Sequence, residues 1–172
     1  MGHGAFRPAT MERIMKKIQS LLVSAALAIG TAAPASAATS DPEIIIYRFP
    51  GVLDNGGAVN AGVATSIHCT NFSGATETVR FVTRGLDGNL RTNVTFNVVH
   101  LTTLTVSTHA AVAYEDSQSL LNTGVVRQGT IAVAATSINI ICTAMTIDAS
   151  TVVPIGVALR GIRFSPVPGS QE

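Results

Sequence analysis

The chain has 172 residues, with 11 Lys and Arg against 10 Asp and Glu, a formal net charge of +1, and 47% hydrophobic residues. Both lysines precede residue 18, and the part after residue 37 holds seven arginines against nine acids, a balance of −2. A mildly acidic domain without lysine lacks the basic surface that binds nucleic acid or anionic membranes, so the composition excludes both partners.

The N-terminal segment has the organisation of a secretory signal peptide. Lys16 and Lys17 form a basic region, residues 21–29 form an apolar run, and Ala35-Ser36-Ala37 is a small-x-small cleavage site. The apolar run is shorter than the roughly 20 residues that cross a bilayer, which argues against a stable membrane anchor. We predict a signal peptide over residues 1–37, with an unused upstream start at 1–10 or 1–14, and an exported protein, periplasmic or secreted.

The first half of the remaining chain predicts strands separated by turns. After a flexible lead-in at residues 38–43, the β-branched run Ile44–Phe49 predicts a strand that Pro50-Gly51 ends. Residues 54–57, Asp-Asn-Gly-Gly, are typical of a turn. Residues 62–72 then alternate with a period of two, which predicts a half-buried strand with Cys69 on its apolar side.

A hairpin is predicted next. Residues 77–84 indicate a strand with Val79 and Phe81 inward and two arginines outward, and Leu86–Leu90 contains an Asp-Gly pair that suits a tight reversal. The partner strand is residues 92–99, with its apolar side chains on one face.

The second half is less regular. Residues 101–108 predict a strand, residues 110–123 a loop with one short helix, and Arg127–Gly129 a turn into a strand at residues 130–135. Residues 138–147 are apolar at nearly every position, which predicts a central strand covered on both faces. A last strand at residues 157–164 and a polar tail at residues 166–172 complete the chain.

These elements predict an all-β antiparallel β-sandwich over residues 44–165, immunoglobulin-like in the broad sense. In an exported chain, two cysteines favour a disulfide over a metal pair or a catalytic thiol. We therefore predict an inter-strand disulfide between Cys69 and Cys142 that ties opposite layers together. In the chain-entropy model, closing the loop of about 74 residues between them adds about 4 kcal/mol to the free energy of unfolding.

Three histidines, His68, His100 and His109, are candidates for chemistry. A blue-copper site needs two His, one Cys and a weak Met, but no histidine follows Cys142, and Met145 lies within a strand-like run. Hydrolysis by a nucleophile, a histidine and an acid remains open, although no Gly-x-Ser-x-Gly motif occurs. We therefore predict no catalytic, cofactor-binding or metal-binding residue.

An acidic segment is a candidate cation site. Glu115 and Asp116, with Asp148 as a further carboxylate, supply oxygen ligands, but calcium needs six to eight oxygens in a characteristic loop spacing. No such spacing is present, so a solvated acidic loop is the simpler interpretation.

Four segments carry a resemblance to known proteins: residues 62–72 (GVATSIHCTNF), 77–82 (ETVRFV), 134–145 (AATSINIICTAM) and 158–164 (ALRGIRF). They resemble a group of small, uncharacterised exported proteins of proteobacteria with two cysteines. The resemblance implies export and a two-cysteine β domain, and it implies no activity.

Our first functional hypothesis is a non-enzymatic exported domain that binds a protein or carbohydrate ligand or has an envelope or surface role, with its oligomeric state open. The alternative is a periplasmic metal-dependent or hydrolytic enzyme that uses His68, His100 or His109.

Overall fold

The computed structural model describes residues 43–164. The predicted signal peptide at residues 1–37, nearly all of the lead-in and the tail at residues 166–172 lie outside the described residues. Among those described, no helix is long and apolar enough to span a membrane.

Ten strands and one short 3-10 helix form the described part of the chain. The strands are β1 (Ile44–Asp54), β2 (Val63–Asn71), β3 (Glu77–Arg84), β4 (Leu90–Val98), β5 (Thr103–Ser107), β6 (Gln118–Leu120), β7 (Val126–Ala135), β8 (Ile140–Asp148), β9 (Gly156–Leu159) and β10 (Ile162–Arg163). The 3-10 helix is Val112–Tyr114.

The strands form two five-stranded sheets, which confirms the predicted all-β sandwich. Sheet A has the order β10-β1-β7-β3-β4, and sheet B has the order β6-β5-β2-β8-β9. Within residues 43–164 the strand pairs are antiparallel, except that β5 and β6 are parallel. The main core lies between the sheets, where Phe49 and Phe81 of sheet A and Ile67 and Ile140 of sheet B are almost completely buried.

The predicted disulfide between Cys69 and Cys142 is present. The two residues are directly opposite each other on the neighbouring strands β2 and β8, with Cα atoms 4.1 Å apart. The expectation that the bond ties opposite layers together is therefore wrong, because both cysteines belong to sheet B. Their side chains point into the core from that sheet.

Strand β1 continues past the point where the sequence predicts its end. Pro50 and Gly51 lie within β1, and the pairing with β7 shifts register between Pro50 and Val52, as at a β-bulge. Strand β10 pairs only with Tyr47 and Arg48, so Pro50 lies where β1 has one neighbour, the kind of position at which strands accept proline. Proline is therefore tolerated here as an edge residue.

The predicted turn at Arg127–Gly129 is also wrong, since these residues belong to β7. Gln128 has a positive φ of 133°, and Gly129 pairs with Val52 at the same irregularity. A Cβ on Gly129 would lie 2.5 Å from the carbonyl oxygen of Arg84. The glycine therefore permits a bulge in a continuous strand.

Strand β8 is an interior strand of sheet B, as predicted, but it is not covered on both faces. Its residues alternate in burial from Ile140 to Ala144, and Ile141 is 49% exposed. The outer face of sheet B is open here because the segment that covers part of this sheet lies at the other end of β8.

That covering segment is residues 110–123, the loop with a short helix that the sequence predicts. It contains the 3-10 helix and then β6, which pairs with β5. Ala111 is fully buried in a second, smaller core cluster with Ala64, Ile147 and Ala149, against which Tyr114 packs. Sheet B is therefore partly covered on its outer face.

The predicted last strand at residues 157–164 divides in two. Strand β9 pairs with β8 at the edge of sheet B, and β10 pairs with β1 at the edge of sheet A. Gly161 lies between them, where a Cβ would be 2.3 Å from the ring of Phe49. The absence of a side chain lets the chain cross over the core from one sheet to the other.

Candidate functional site

His68 projects from β2 on the outer face of sheet B. Its Nδ1 is 3.0 Å from the hydroxyl oxygen of Thr105, and its ring meets the ring of Tyr114 edge to face, with centroids 4.8 Å apart. Burial lowers the pKa of His68, because the charged form loses its hydration. The residue thus packs between the sheet and the segment that covers it.

His100 lies in the connection after β4. Its Nδ1 accepts a hydrogen bond from the backbone N–H of Gly74 at 3.0 Å. This contact joins the connection between β2 and β3 to the one between β4 and β5, so the ring has a structural role.

His109 lies between two acceptors after β5. Its Nδ1 is 2.9 Å from Oδ2 of Asp54, and its Nε2 is 3.0 Å from the carbonyl oxygen of Ala61. Asp54 is 1% exposed and also accepts hydrogen bonds from the N–H of Gly56 and the hydroxyl of Thr123. These contacts tie the end of β1 to two loops. The sequence interpretation of residues 54–57 as a simple turn misses this buried carboxylate.

An acid paired with a histidine is two thirds of a hydrolytic triad, in which the second ring nitrogen meets a nucleophile. At His109 that nitrogen faces the carbonyl oxygen of Ala61, which is no nucleophile. The contacts of the Asp54–His109 pair are those of a structural cross-link between loops.

The three histidines occupy separate places, and across residues 43–164 no group of three or more His, Cys, Asp or Glu has the arrangement of a metal site. The disulfide takes both cysteine sulfurs, so neither is available as a thiolate ligand. The sulfur of Met145 lies 3.7 Å from the hydroxyl of Tyr114. The blue-copper ligand set considered from the sequence is therefore not assembled.

The carboxylates considered for calcium also have separate partners. Oε1 of Glu115 accepts a hydrogen bond from the side-chain amide of Asn60 at 3.3 Å, and Asp116 is exposed. Asp148 accepts hydrogen bonds from the hydroxyl and the N–H of Ser150, which lower the pKa of its carboxyl group. Among the described residues, these acids do not converge on one site.

The outer face of sheet A carries a different feature, a shallow cavity of about 150 Å³. Arginines from two strands surround a floor of small side chains on the strand between them. We call this cavity the arginine trough; it is formed by Arg48, Arg80, Arg84, Thr130, Ala132 and Ala134.

Strand pairing explains how the arginine trough is built. Strand β7 lies between β1 and β3, and its outward residues are small. On the β3 side, Arg80 pairs with Ala134 and Arg84 with Thr130, while Arg48 on the β1 side pairs with Ala132 between them. Arginines on opposite sides of β7 therefore line one depression.

Each arginine is held by a specific contact. The guanidinium of Arg48 is 5.7 Å from the centre of the Phe164 ring, and Nη1 of Arg84 donates to the carbonyl oxygen of Gly88 at 2.9 Å. Nε of Arg80 lies 2.6 Å from a carboxylate oxygen of Glu43, whose side chain is 8% exposed. In the part of the chain that the structure describes, Arg48 and Arg84 have no carboxylate at ion-pair distance.

A second, more open cavity of about 590 Å³ lies beside the β3–β4 hairpin, next to Val125 and Arg127. Asp87 and Arg91 form an ion pair of 3.1 Å there, so part of its charge is internally balanced. A hydrogen bond from the side chain of Asn89 lowers the pKa of Asp87. This cavity therefore presents less uncompensated charge than the arginine trough.

Sequence reasoning placed Arg80 and Arg84 outward on one strand but did not bring them together with Arg48. The missing information is the pairing of β1 and β3 with the same strand. Comparisons of the chain with protein-family models, curated proteins and solved structures find no match.

Proposed function

We propose that this chain is an exported, non-enzymatic binding domain whose ligand surface is the arginine trough. The observation that carries the proposal is that Arg48 and Arg84 border one cavity without a carboxylate at ion-pair distance among residues 43–164. Like charges on one sheet face repel each other, so this arrangement is explained better by an anionic ligand than by stability.

The histidines support a binding function over the enzymatic alternative. His68, His100 and His109 contact a threonine hydroxyl, a backbone N–H and a buried carboxylate, in three different parts of the fold. A hydrolytic site requires a base within hydrogen-bond reach of a nucleophile or an activated water, together with donors for the developing charge. These contacts instead match the roles of side chains that join loops.

Two observations support export. The disulfide between Cys69 and Cys142 is of the kind that persists in oxidising compartments. The N-terminal sequence has the three regions of a secretory leader, ending in Ala35-Ser36-Ala37. Both fit a protein that acts in the periplasm or outside the cell.

Expression of the full chain in a bacterium, followed by fractionation, tests export. Mass spectrometry of the periplasmic or secreted protein is expected to show an N-terminus at Ala38 and a mass two hydrogens below that of the reduced chain. A protein that keeps residues 1–37 and stays in the cytoplasm would contradict the export part of the proposal.

The enzymatic alternative is tested on the same protein, purified without chelator and without a histidine tag. Metal analysis is expected to show less than stoichiometric metal, and ester, peptide and glycoside substrates are expected to remain intact. Turnover that is abolished in a folded His68→Gln, His100→Gln or His109→Gln variant, and kept in the other two, would replace the binding function with catalysis.

A further inference from the structure

We propose that the arginine trough binds a sugar ring that carries a carboxylate, that is, an acidic saccharide. This inference rests on the proposed binding function and adds the chemical class of the ligand.

The positive charge of the arginine trough favours an oxyanion as the ligand. A guanidinium group presents five N–H donors in a planar fork that matches a carboxylate or phosphate in a bidentate way. Arg48 stacks on Phe164, and Arg84 uses one nitrogen for Gly88, so both side chains are held in place while other donors remain. Their strands lie on either side of β7, about 10 Å apart. Two held arginines on opposite sides suit one anion between them.

The floor selects a ring rather than a bare ion. Ile45 is 40% exposed and lines the cavity together with Val82, whereas Ala132 and Ala134 beside them are almost completely buried. Carbon-bound hydrogens on one face of a sugar ring pack on such accessible apolar side chains, whereas inorganic phosphate gains nothing from them. The hydroxyl of Thr130 adds a donor and acceptor for a sugar hydroxyl.

One end of the arginine trough is already neutralised. Glu43 pairs with Arg80 beside Ala134, so a second carboxylate at this end would be repelled. The anionic group of the ligand is therefore expected at the Thr130 end, near Arg84 and Arg48. The cavity volume of about 150 Å³ suits a single ring of a chain rather than several rings.

Isothermal titration calorimetry with galacturonate oligomers tests the proposal on the oxidised, leader-free protein. Binding is expected, with an affinity that falls as salt is added. Arg48→Gln and Arg84→Gln are each expected to weaken it about tenfold or more, because each removes a charge-assisted hydrogen bond. The matched control is Arg160→Gln, which removes the same charge from an exposed residue between β9 and β10 and should leave the affinity unchanged.

Two further ligands identify the chemistry. Neutral galactose oligomers are expected not to bind, and inorganic phosphate is expected to compete weakly. Tighter binding of phosphate than of galacturonate would overturn the assignment to a sugar. Absence of anion binding, or equal loss in all three arginine variants, would overturn the site. Circular dichroism of each variant establishes that it is folded.

The same titration separates this inference from the proposed function. New reducing ends in the galacturonate mixture would show cleavage, which overturns the non-enzymatic function and leaves the arginine trough as a binding site. Binding of the neutral oligomer with no dependence on Arg48 or Arg84 would keep a binding function and overturn the arginine trough as its location.

Discussion

The outer faces of the two sheets differ in how they are covered. On sheet B, residues 110–123 lie over the strands, Ala111 is buried in a second core cluster, and Tyr114 packs on His68. On sheet A, Ala132 and Ala134 are buried beneath long side chains, above all those of Arg48, Arg80 and Arg84.

The two faces are therefore expected to respond differently to substitution. Backbone that covers apolar side chains adds buried area and stabilises the fold. Arginines above alanines protect the floor with their hydrophobic stems but place several like charges together. We therefore expect substitutions in sheet B and its cover to affect stability, and substitutions of the trough arginines to affect binding.

The largest effect is expected for removal of the disulfide in sheet B. Cys69→Ala combined with Cys142→Ala should lower the free energy of unfolding by about 4 kcal/mol, because the open chain regains the entropy of a loop with a separation of 73 residues. Urea denaturation measures the loss. Wild-type protein in dithiothreitol is the control and should lose a similar amount; a loss below about 1 kcal/mol in both would contradict the role of the bond.

A smaller effect is expected when the cover of sheet B is weakened. Tyr114→Ala removes a ring that packs on His68 and on the second core cluster, and should cost about 2 kcal/mol, less than a fully buried aromatic. Tyr114→Phe keeps the ring and loses only the weak contact with the sulfur of Met145, so it should remain near wild type. Equal stability of Tyr114→Ala and wild type would show that packing of residues 110–123 on sheet B does not stabilise the fold.

The same cover predicts a pH dependence. Because burial lowers the pKa of His68 in the folded protein, the unfolded chain binds more protons once the pH falls below about 6.5. This contribution to stability is complete above that pH and is lost as the pH falls toward the folded-state pKa. Unfolding free energies measured from pH 7.5 to 5 should therefore decline, and His68→Gln should reduce the decline. An unchanged decline in His68→Gln would contradict this role of the buried ring.

The smallest effect on stability is expected on sheet A. Arg48→Gln and Arg84→Gln should change the free energy of unfolding by no more than about 0.5 kcal/mol, since both side chains are exposed and each loses only one weak contact. Urea denaturation in parallel with the Tyr114 variants makes the comparison direct. A loss above about 1.5 kcal/mol for either arginine would show that the trough is structural.

Much of the sandwich was predictable, because local signals and tertiary structure agree. Residues 77–84 form β3 with Val79 and Phe81 buried, and the Asp-Gly reversal joins β3 to β4. In this hairpin the turn chemistry and the two-residue period point to the same pairing.

The same kind of signal failed where two strands pair over a long distance. Arg127–Gly129 and Pro50-Gly51 both contain residues typical of turns, yet they meet in one irregular stretch of the β1–β7 pair. A glycine in a bulge and a glycine in a turn are alike in sequence, because both use the conformational freedom of a missing side chain. Only the pairing distinguishes them.

The candidate site could not be predicted for a related reason. Arg48 is 32 residues before Arg80, and no motif connects them. They border one cavity because β7, from the second half of the chain, pairs with both of their strands. The disulfide needed no such register, since two cysteines that follow a predicted secretory leader have few other uses.

The pairing of β1 with β10 has a consequence for how the protein is made. The second edge of β1, at Tyr47 and Arg48, can pair only after β10 has been synthesised, near the end of the described residues. Contacts between such distant parts of a sequence slow folding, because a long loop must close before they form. When only the N-terminal half has been synthesised, β1 therefore still has both edges free, because β7 and β10 both lie in the second half. Unpaired strand edges of this kind promote aggregation.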